Sequence, residues 1–263
     1  MQLDLSGRHA LVCGASQGIG RASAIELAGL GANVTLLARS ADKLSSIAAS
    51  LPRTHAGQQH DWRNVDMLDT ANLQTGASEL AATQPVHILI NNTGGPPGGA
   101  VYAATPAAFE MAFRQHVLAG QTLLQALLPG MRASGYGRIV NVISTSVKEP
   151  IAGLGVSNTV RAAVAGWAKT LSAELAADGI TVNNVLPGYT RTQRLDGLLA
   201  AQAAASGRSE DEVAQSMLAT VPARRFGEVS EIAAVIAFLC TPAAAYVNGV
   251  SIAVDGGRTR ALS

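Results

Sequence analysis

Aromatic side chains make up 4% of the 263 residues, cysteines number two, and neither sign of charge prevails, with 19 basic residues against 18 acidic ones. Each shortage excludes a class of function. Balanced charge without a basic block gives no electrostatic draw toward nucleic acid or an anionic membrane surface, so the expected partner is a small molecule. Cys13 and Cys240 lie far apart and match no metal-ligand or redox spacing, which points to two buried thiols, a reducing compartment and no metal. The best apolar helical run, "IAAVIAFLC" at 232–240, falls far short of the ~20 residues that span a bilayer. The start, "MQLDLSGRHALVCG", shows no cationic region followed by a long apolar stretch, so no signal peptide is expected and the cytoplasm is the expected location. Scarce aromatics give no sign of a large stacked substrate.

What is plentiful is aliphatic. Hydrophobic residues reach 48%, ample for a sizeable core. Short β-rich runs recur along the chain: "HALVCG" near 9–14, "NVTLLA" at 33–38, "VHILINN" at 86–92, "RIVNVIS" at 138–144, "TVNNVL" at 181–186 and "SIAVDG" at 251–256, with a weaker candidate ending near Asp66. They are almost wholly apolar instead of alternating, as strands buried on both faces of a parallel sheet are. Helical stretches fill the gaps, with Thr105-Pro106 as one start signal and Ser230 before "EIAAVIAFL" as another. The expectation is an α/β fold, a single doubly wound Rossmann-type domain over 1–263 with helices on both faces. The segment 189–222 includes the alanine-rich stretch 198–215 and is expected to be mobile and to lie on the substrate side, either as a lid or as an ordinary surface helix pair.

The first strand runs directly into "GASQGIG", Gly14 to Gly20, and then into a helical stretch. In that setting glycines let the backbone turn tightly and approach a pyrophosphate, which the amide-rich end of the following helix attracts. The second strand ends at Ala38-Arg39, about where a site for an unphosphorylated ribose carries an acid. Arg39 there favours a 2′-phosphate, hence NADP(H) over NAD(H), although Gln17 adds no second cation inside the loop. Asp42 reads as an acid at a helix start.

These features, with "NNTGG" at 91–95, "NVIS" ending at Ser144, "PG" at 187–188 and "NGVSIAVDGG" at 248–257, resemble the classical short-chain dehydrogenase/reductase family, of the 3-oxoacyl-ACP-reductase-like kind, along nearly the whole chain. The resemblance implies seven parallel strands, a nicotinamide cofactor, interconversion of alcohols and carbonyls, and a homo-oligomer, tetramer or dimer. It also implies that Gly14, Ser16, Gln17, Gly18, Ile19 and Gly20 hold the cofactor with Arg39. Asp66 and Met67 would sit by the adenine, Asn91, with Thr93 and Gly94, along a cofactor ribose, and Pro187 and Gly188, with Thr190 and Thr192, toward the nicotinamide.

The stretch "GLGVSNTVRAAV" departs from that pattern. Where the family carries Tyr-x-x-x-Lys, this chain has Ser157 and Arg161, and a family asparagine falls at His116; of the usual four only Ser144 remains. An aliphatic hydroxyl is a far weaker acid than a phenol, so Ser157 does not simply replace the tyrosine. Arg161 stays charged, with a pKa above about 12, and is suited to binding the cofactor ribose and stabilising negative charge. A substitute acid is then needed, and His116, unperturbed near pKa ~6.5, is the first candidate, predicting a rate that falls as it titrates. Tyr189 and Lys148 are the others, while Arg191 and Arg194 are candidate contacts for an anionic group. Two functions follow: an NADP(H)-dependent oxidoreductase of a ketone or 3-oxoacyl-type substrate with a non-standard site, or an inactive nucleotide-binding homologue serving as sensor or partner subunit.

Overall fold

The computed structural model describes residues 1–262. Seven strands form one parallel sheet: β1 (His9–Cys13), β2 (Asn33–Ala38), β3 (His60–Asn64), β4 (Ile88–Asn91), β5 (Gly137–Val142), β6 (Ile180–Pro187) and β7 (Ser251–Val254). Their order is β3-β2-β1-β4-β5-β6-β7, so the chain reverses its direction of travel between β1 and β4. Side chains alternate across the strands. On β1, Ala10 and Val12 enter one core layer, while Leu11 and Cys13 enter the other. That is why the run after His9 is apolar at successive positions. The weak third candidate is the edge strand β3, "HDWRN", only partly buried.

Helices α1 (Gly18–Gly29), α2 (Ala41–Ser50) and, from late in the chain, Val229–Cys240 supply Leu27, Leu44 and Ile236 to the first layer. On the opposite face α3 (Thr70–Thr83) is followed by α4 (Pro106–Phe113), α5 (Ala119–Ser134) and α6 (Gly155–Glu174), with Leu73, Leu123 and Leu171 buried in the second layer. Thr105 caps α4 by accepting from the Ala108 amide, with Pro106 at the first helical position. Within 189–222 lie α7 (Gln193–Ser206) and α8 (Glu210–Ala219), separated by Gly207 in the left-handed region at φ 66° and started again by Ser209 and Glu212 in a reciprocal cap. The last helix, α9 (Val229–Cys240), begins earlier than Ser230 suggests: the Glu231 amide donates to the Glu228 carbonyl at 3.1 Å and the Glu228 amide donates to Glu231 Oε2 at 2.8 Å. Cys13 and Cys240 are buried free thiols, each pushed up to about 12 by burial.

A polar row crosses the sheet interior at its carboxyl end. Asn91 Nδ2 donates to Asn141 Oδ1 at 2.9 Å, Asn141 Nδ2 to Asn184 Oδ1 at 2.9 Å, and Asn184 Nδ2 to Ser251 Oγ at 3.1 Å. These four residues are direct register partners on β4, β5, β6 and β7.

Candidate active site

Open parallel sheets bind ligands where the strand order reverses, beyond the carboxyl ends. Here that point lies between β1 and β4. β1 turns at Gly14 (φ 60°) and Gly18 (φ 57°) into α1. A Cβ on Gly14 would lie 2.6 Å from both Nδ2 and the carbonyl oxygen of Asn92, and one on Gly20 would lie 2.3 Å from the Gly14 carbonyl. Gly20 therefore lets helix and turn pack closely. No side chain caps α1, so its first amides remain available to an anion. A groove of about 640 Å³ opens there, with Ser16, Gln17, Gly18 and Ile19 on its walls beside Gly14. These residues and their uncapped helix fit the pyrophosphate of a dinucleotide.

Further along the groove come Arg39, Asp66, Met67, Thr93 and Gly94. The Arg39 side chain is 76% exposed and only 3.9 Å from Asp66, which leaves its guanidinium able to turn to a phosphate. Lys43, one turn into α2, lines the same groove and supplies the second cation that the glycine loop lacks. Asn91, expected along a ribose, is off the groove wall: its Nδ2 donates to Asn141 in the sheet and its Oδ1 has no partner among the described residues, whereas Asn92 lines the groove and donates to the Cys13 and Gly14 carbonyls at 3.3 Å. Gln115, absent from the sequence-based set, fixes Thr93 by donating to its Oγ1 at 2.9 Å.

Ile19, Asn92, Thr93, Thr192 and Arg194 are shared between the groove and a second, inner cavity of about 180 Å³. Pro187, Gly188 and Thr190 line this inner cavity. Thr192 also starts α7, its hydroxyl accepting from the Leu195 amide at 3.4 Å. Ser144, Ser157 and Arg161 also line it. Ser144 follows β5 and caps a short helical turn, its Oγ accepting from the Ser146 amide at 3.1 Å. On α6, Ser157 and Arg161 share a face, and Arg161 Nε donates to Ser157 Oγ at 3.2 Å. Arg161 Nη1 donates to the Val142 and Ile143 carbonyls at 3.2 and 2.8 Å. Nη2 has no hydrogen-bond partner among the described residues, and Arg161 lines the cavity. Burial, then the nearby Arg194, pull Arg161 down to about 10, which corrects the value expected from sequence and still leaves a cation at neutral pH.

His116 lies close by but off the cavity wall. It sits in a widened helical turn, Arg114–Leu118, between α4 and α5, buried and absent from the cavity wall, with Nε2 unpartnered. Burial, then the Arg161 and Arg194 cations, hold its imidazole down to about 3, so it is neutral and a poor proton donor at working pH. Lys148 also lies off the wall. Tyr189 lies on it, with the Arg258 guanidinium 4.8 Å from its ring centroid. Arg191 is occupied by Glu228 at 3.0 Å.

A phosphate-ready groove leading into a small cavity with an anchored cation defines a dinucleotide-dependent oxidoreductase. The family described as Enoyl-(Acyl carrier protein) reductase matches residues 14–259. The chain is 33% identical over 257 residues to a 3-oxoacyl-[acyl-carrier-protein] reductase FabG of Vibrio harveyi, covering 97% of this chain and 98% of that protein. It is also similar to L-sorbose reductase from Gluconobacter frateurii, solved with NADPH and L-sorbose, with a TM-score of 0.92, 30% identity and 100% of both chains covered. A gluconate 5-dehydrogenase from Burkholderia cenocepacia, in complex with NADP and tartrate, superposes with a TM-score of 0.87 at 28% identity, over 99% of this chain and 98% of that one. The chain belongs to the classical short-chain dehydrogenase/reductase family, oxidoreductases that act on alcohol and carbonyl groups.

Proposed function

We propose that this chain is an NADP(H)-dependent oxidoreductase that interconverts a carbonyl compound and its alcohol through Ser144 and Arg161, without the family's tyrosine and lysine. The observation that carries the reading is Arg161: a buried guanidinium on the cavity wall, fixed by two carbonyls and Ser157, with no hydrogen bond from Nη2 among the described residues. When bound, the reduced nicotinamide supplies hydride to the carbonyl carbon. Ser144 and Arg161 Nη2 donate to the carbonyl oxygen and stabilise the negative charge that develops on it, the role of an oxyanion hole. Ser157 positions Arg161. Tyr189, the one phenol on the cavity wall among the described residues, delivers the proton. Arg39 and Lys43 select the 2′-phosphate, in keeping with the NADPH and NADP complexes of the similar structures.

The test is a fluorescence titration with NADPH and NADH, followed by a ketone panel with absorbance of the reduced nicotinamide monitored. NADPH is expected to bind at least tenfold more tightly than NADH, and Arg39→Ala to remove that preference. Arg161→Met is expected to lower kcat by about 10²–10³, the cost of an oxyanion donor, with NADPH still bound. Parental turnover in Arg161→Met sinks the mechanism. The other reading, a nucleotide-binding homologue without turnover, is favoured by the replacement of phenol and ammonium at 157 and 161. Tight NADPH binding with no oxidation across the panel would select it.

A further inference from the structure

We infer that the inner cavity is an anion site and that the substrate of the proposed reaction is a compact carboxylate-bearing carbonyl compound, an oxo acid, or its hydroxy acid. The inference rests on the reading of the cavity as the substrate site. Three arginines reach its wall from three distant segments: Arg161 from α6, Arg194 from α7 and Arg258 from the turn after β7. Among the described residues, no aspartate, glutamate or other charged group lines the cavity with them. None of the three is ion-paired, although the arginines around them are: Arg39 has Asp66, Arg191 has Glu228 and Arg225 has Glu231.

Each of the three keeps donor capacity unspent. Arg161 makes no hydrogen bond through Nη2 among the described residues. Arg194 is held only by backbone carbonyls, those of Gly95 at 3.1 Å and Pro96 at 3.5 Å. Arg258 makes one long hydrogen bond, to Thr145 Oγ1 at 3.4 Å, and its buried Nε has no partner. Like charges gathered on a partly dry wall repel one another and lose hydration, a cost that a bound anion reverses. Guanidinium forks also match a carboxylate in geometry.

The phosphates of a dinucleotide do not account for Arg161 and Arg258; Arg194 stands at the junction of groove and cavity. The glycine turn, the start of α1, Arg39 and Lys43 line the outer groove, whereas Arg161 and Arg258 line the inner cavity alone. Size narrows the class further. About 180 Å³ is small beside the about 300–1,000 Å³ of drug-sized ligand pockets. The apolar remainder, including Ile151, Leu154 and Leu198, gives a short aliphatic chain a place to lie.

The experiment uses 2-oxobutanoate, 2-oxopentanoate and 4-oxopentanoate, each against its own methyl ester. Calorimetry is run on the full chain saturated with NADP⁺, so that phosphate contacts are already made and no reduction occurs; NADPH oxidation is followed separately. At least one acid is expected to bind tenfold or more tightly than its ester. Arg258→Gln is expected to reduce that ratio at least fivefold, with NADPH affinity reporting that the variant is folded, and Arg194→Gln serves as the second variant. No acid exceeding its ester, or an unchanged ratio in both variants, overturns the inference. Esters reduced and bound as well as acids would leave the proposed reaction standing and remove the anion site. Selective binding of acids without turnover would keep the anion site and remove the proposed reaction.

Discussion

At the residue scale, adjacent or equivalent side chains take different work according to where the backbone points them. Asn91 and Asn92 differ by one step along a strand end, and one belongs to the sheet while the other belongs to the groove. Their parity depends on register, which the dipeptide alone does not carry. Lys43 is a related case: it brings a second cation to the groove beside Arg39, but only once α2 is in place. His116 shows the converse. Its imidazole is the right chemical type for an acid, yet burial and two guanidiniums keep it neutral. His116→Asn is therefore expected to keep kcat within about threefold of the parent, and neither protein should show a limb near pH ~6.5 in its pH-rate profile. A hundredfold loss, or a limb that vanishes in the variant, would restore the histidine as the proton donor.

At the element scale, the glycine turn, the apolar strands and the Thr105 cap were legible because each follows from local sterics or periodicity. The convergence of Arg161, Arg194 and Arg258 was not, since it depends on three elements meeting across more than ninety residues of chain. The pair α7 and α8 was ambiguous for a physical reason. Its apolar residues Leu195, Val213 and Met217 build a small separate cluster with Phe226 instead of entering either layer against the sheet. Thr192 and Arg194 at the start of α7 reach the junction of groove and cavity. We expect the amides of 193–219 to exchange hydrogen at least tenfold faster than those of β1, β4 and β5, and to slow when NADPH is added. Mass-spectrometric exchange with and without NADPH reads this directly. Protection equal to that of the sheet, unchanged by NADPH, would mean a fixed cover.

For the whole molecule, acid is the revealing stress. His9 on β1 is buried with Nε2 2.8 Å from Thr35 Oγ1, and burial, then His87, bring it down to about 4. Together with His116, held at about 3, it is neutral in the folded chain at pH values where the unfolded chain binds protons. Both contributions are fully present above about pH 6.5 and are lost as pH falls toward the folded-state values. Below pH ~6 the two histidines should cost roughly 2–3 kcal/mol per pH unit. Urea unfolding at pH 7, 6 and 5 measures that slope, and His116→Asn is expected to reduce it by about half.

The asparagine row has a consequence for how such a sheet forms at all. Parallel strands drawn from positions as far apart as 91 and 251 pair without hairpins to set their offset. In apolar strands buried on both faces a one-residue slip is poorly detected by hydrophobicity alone, because nearly all the remaining positions are apolar. Slipping any of these strands would send its amide to the opposite face and strand buried donors at about 1–3 kcal/mol each. The row thus works as a proofreading mark for assembly, and the one offset it accepts is the offset that brings Asn92, Ser144 and Pro187 out at the same end of the sheet.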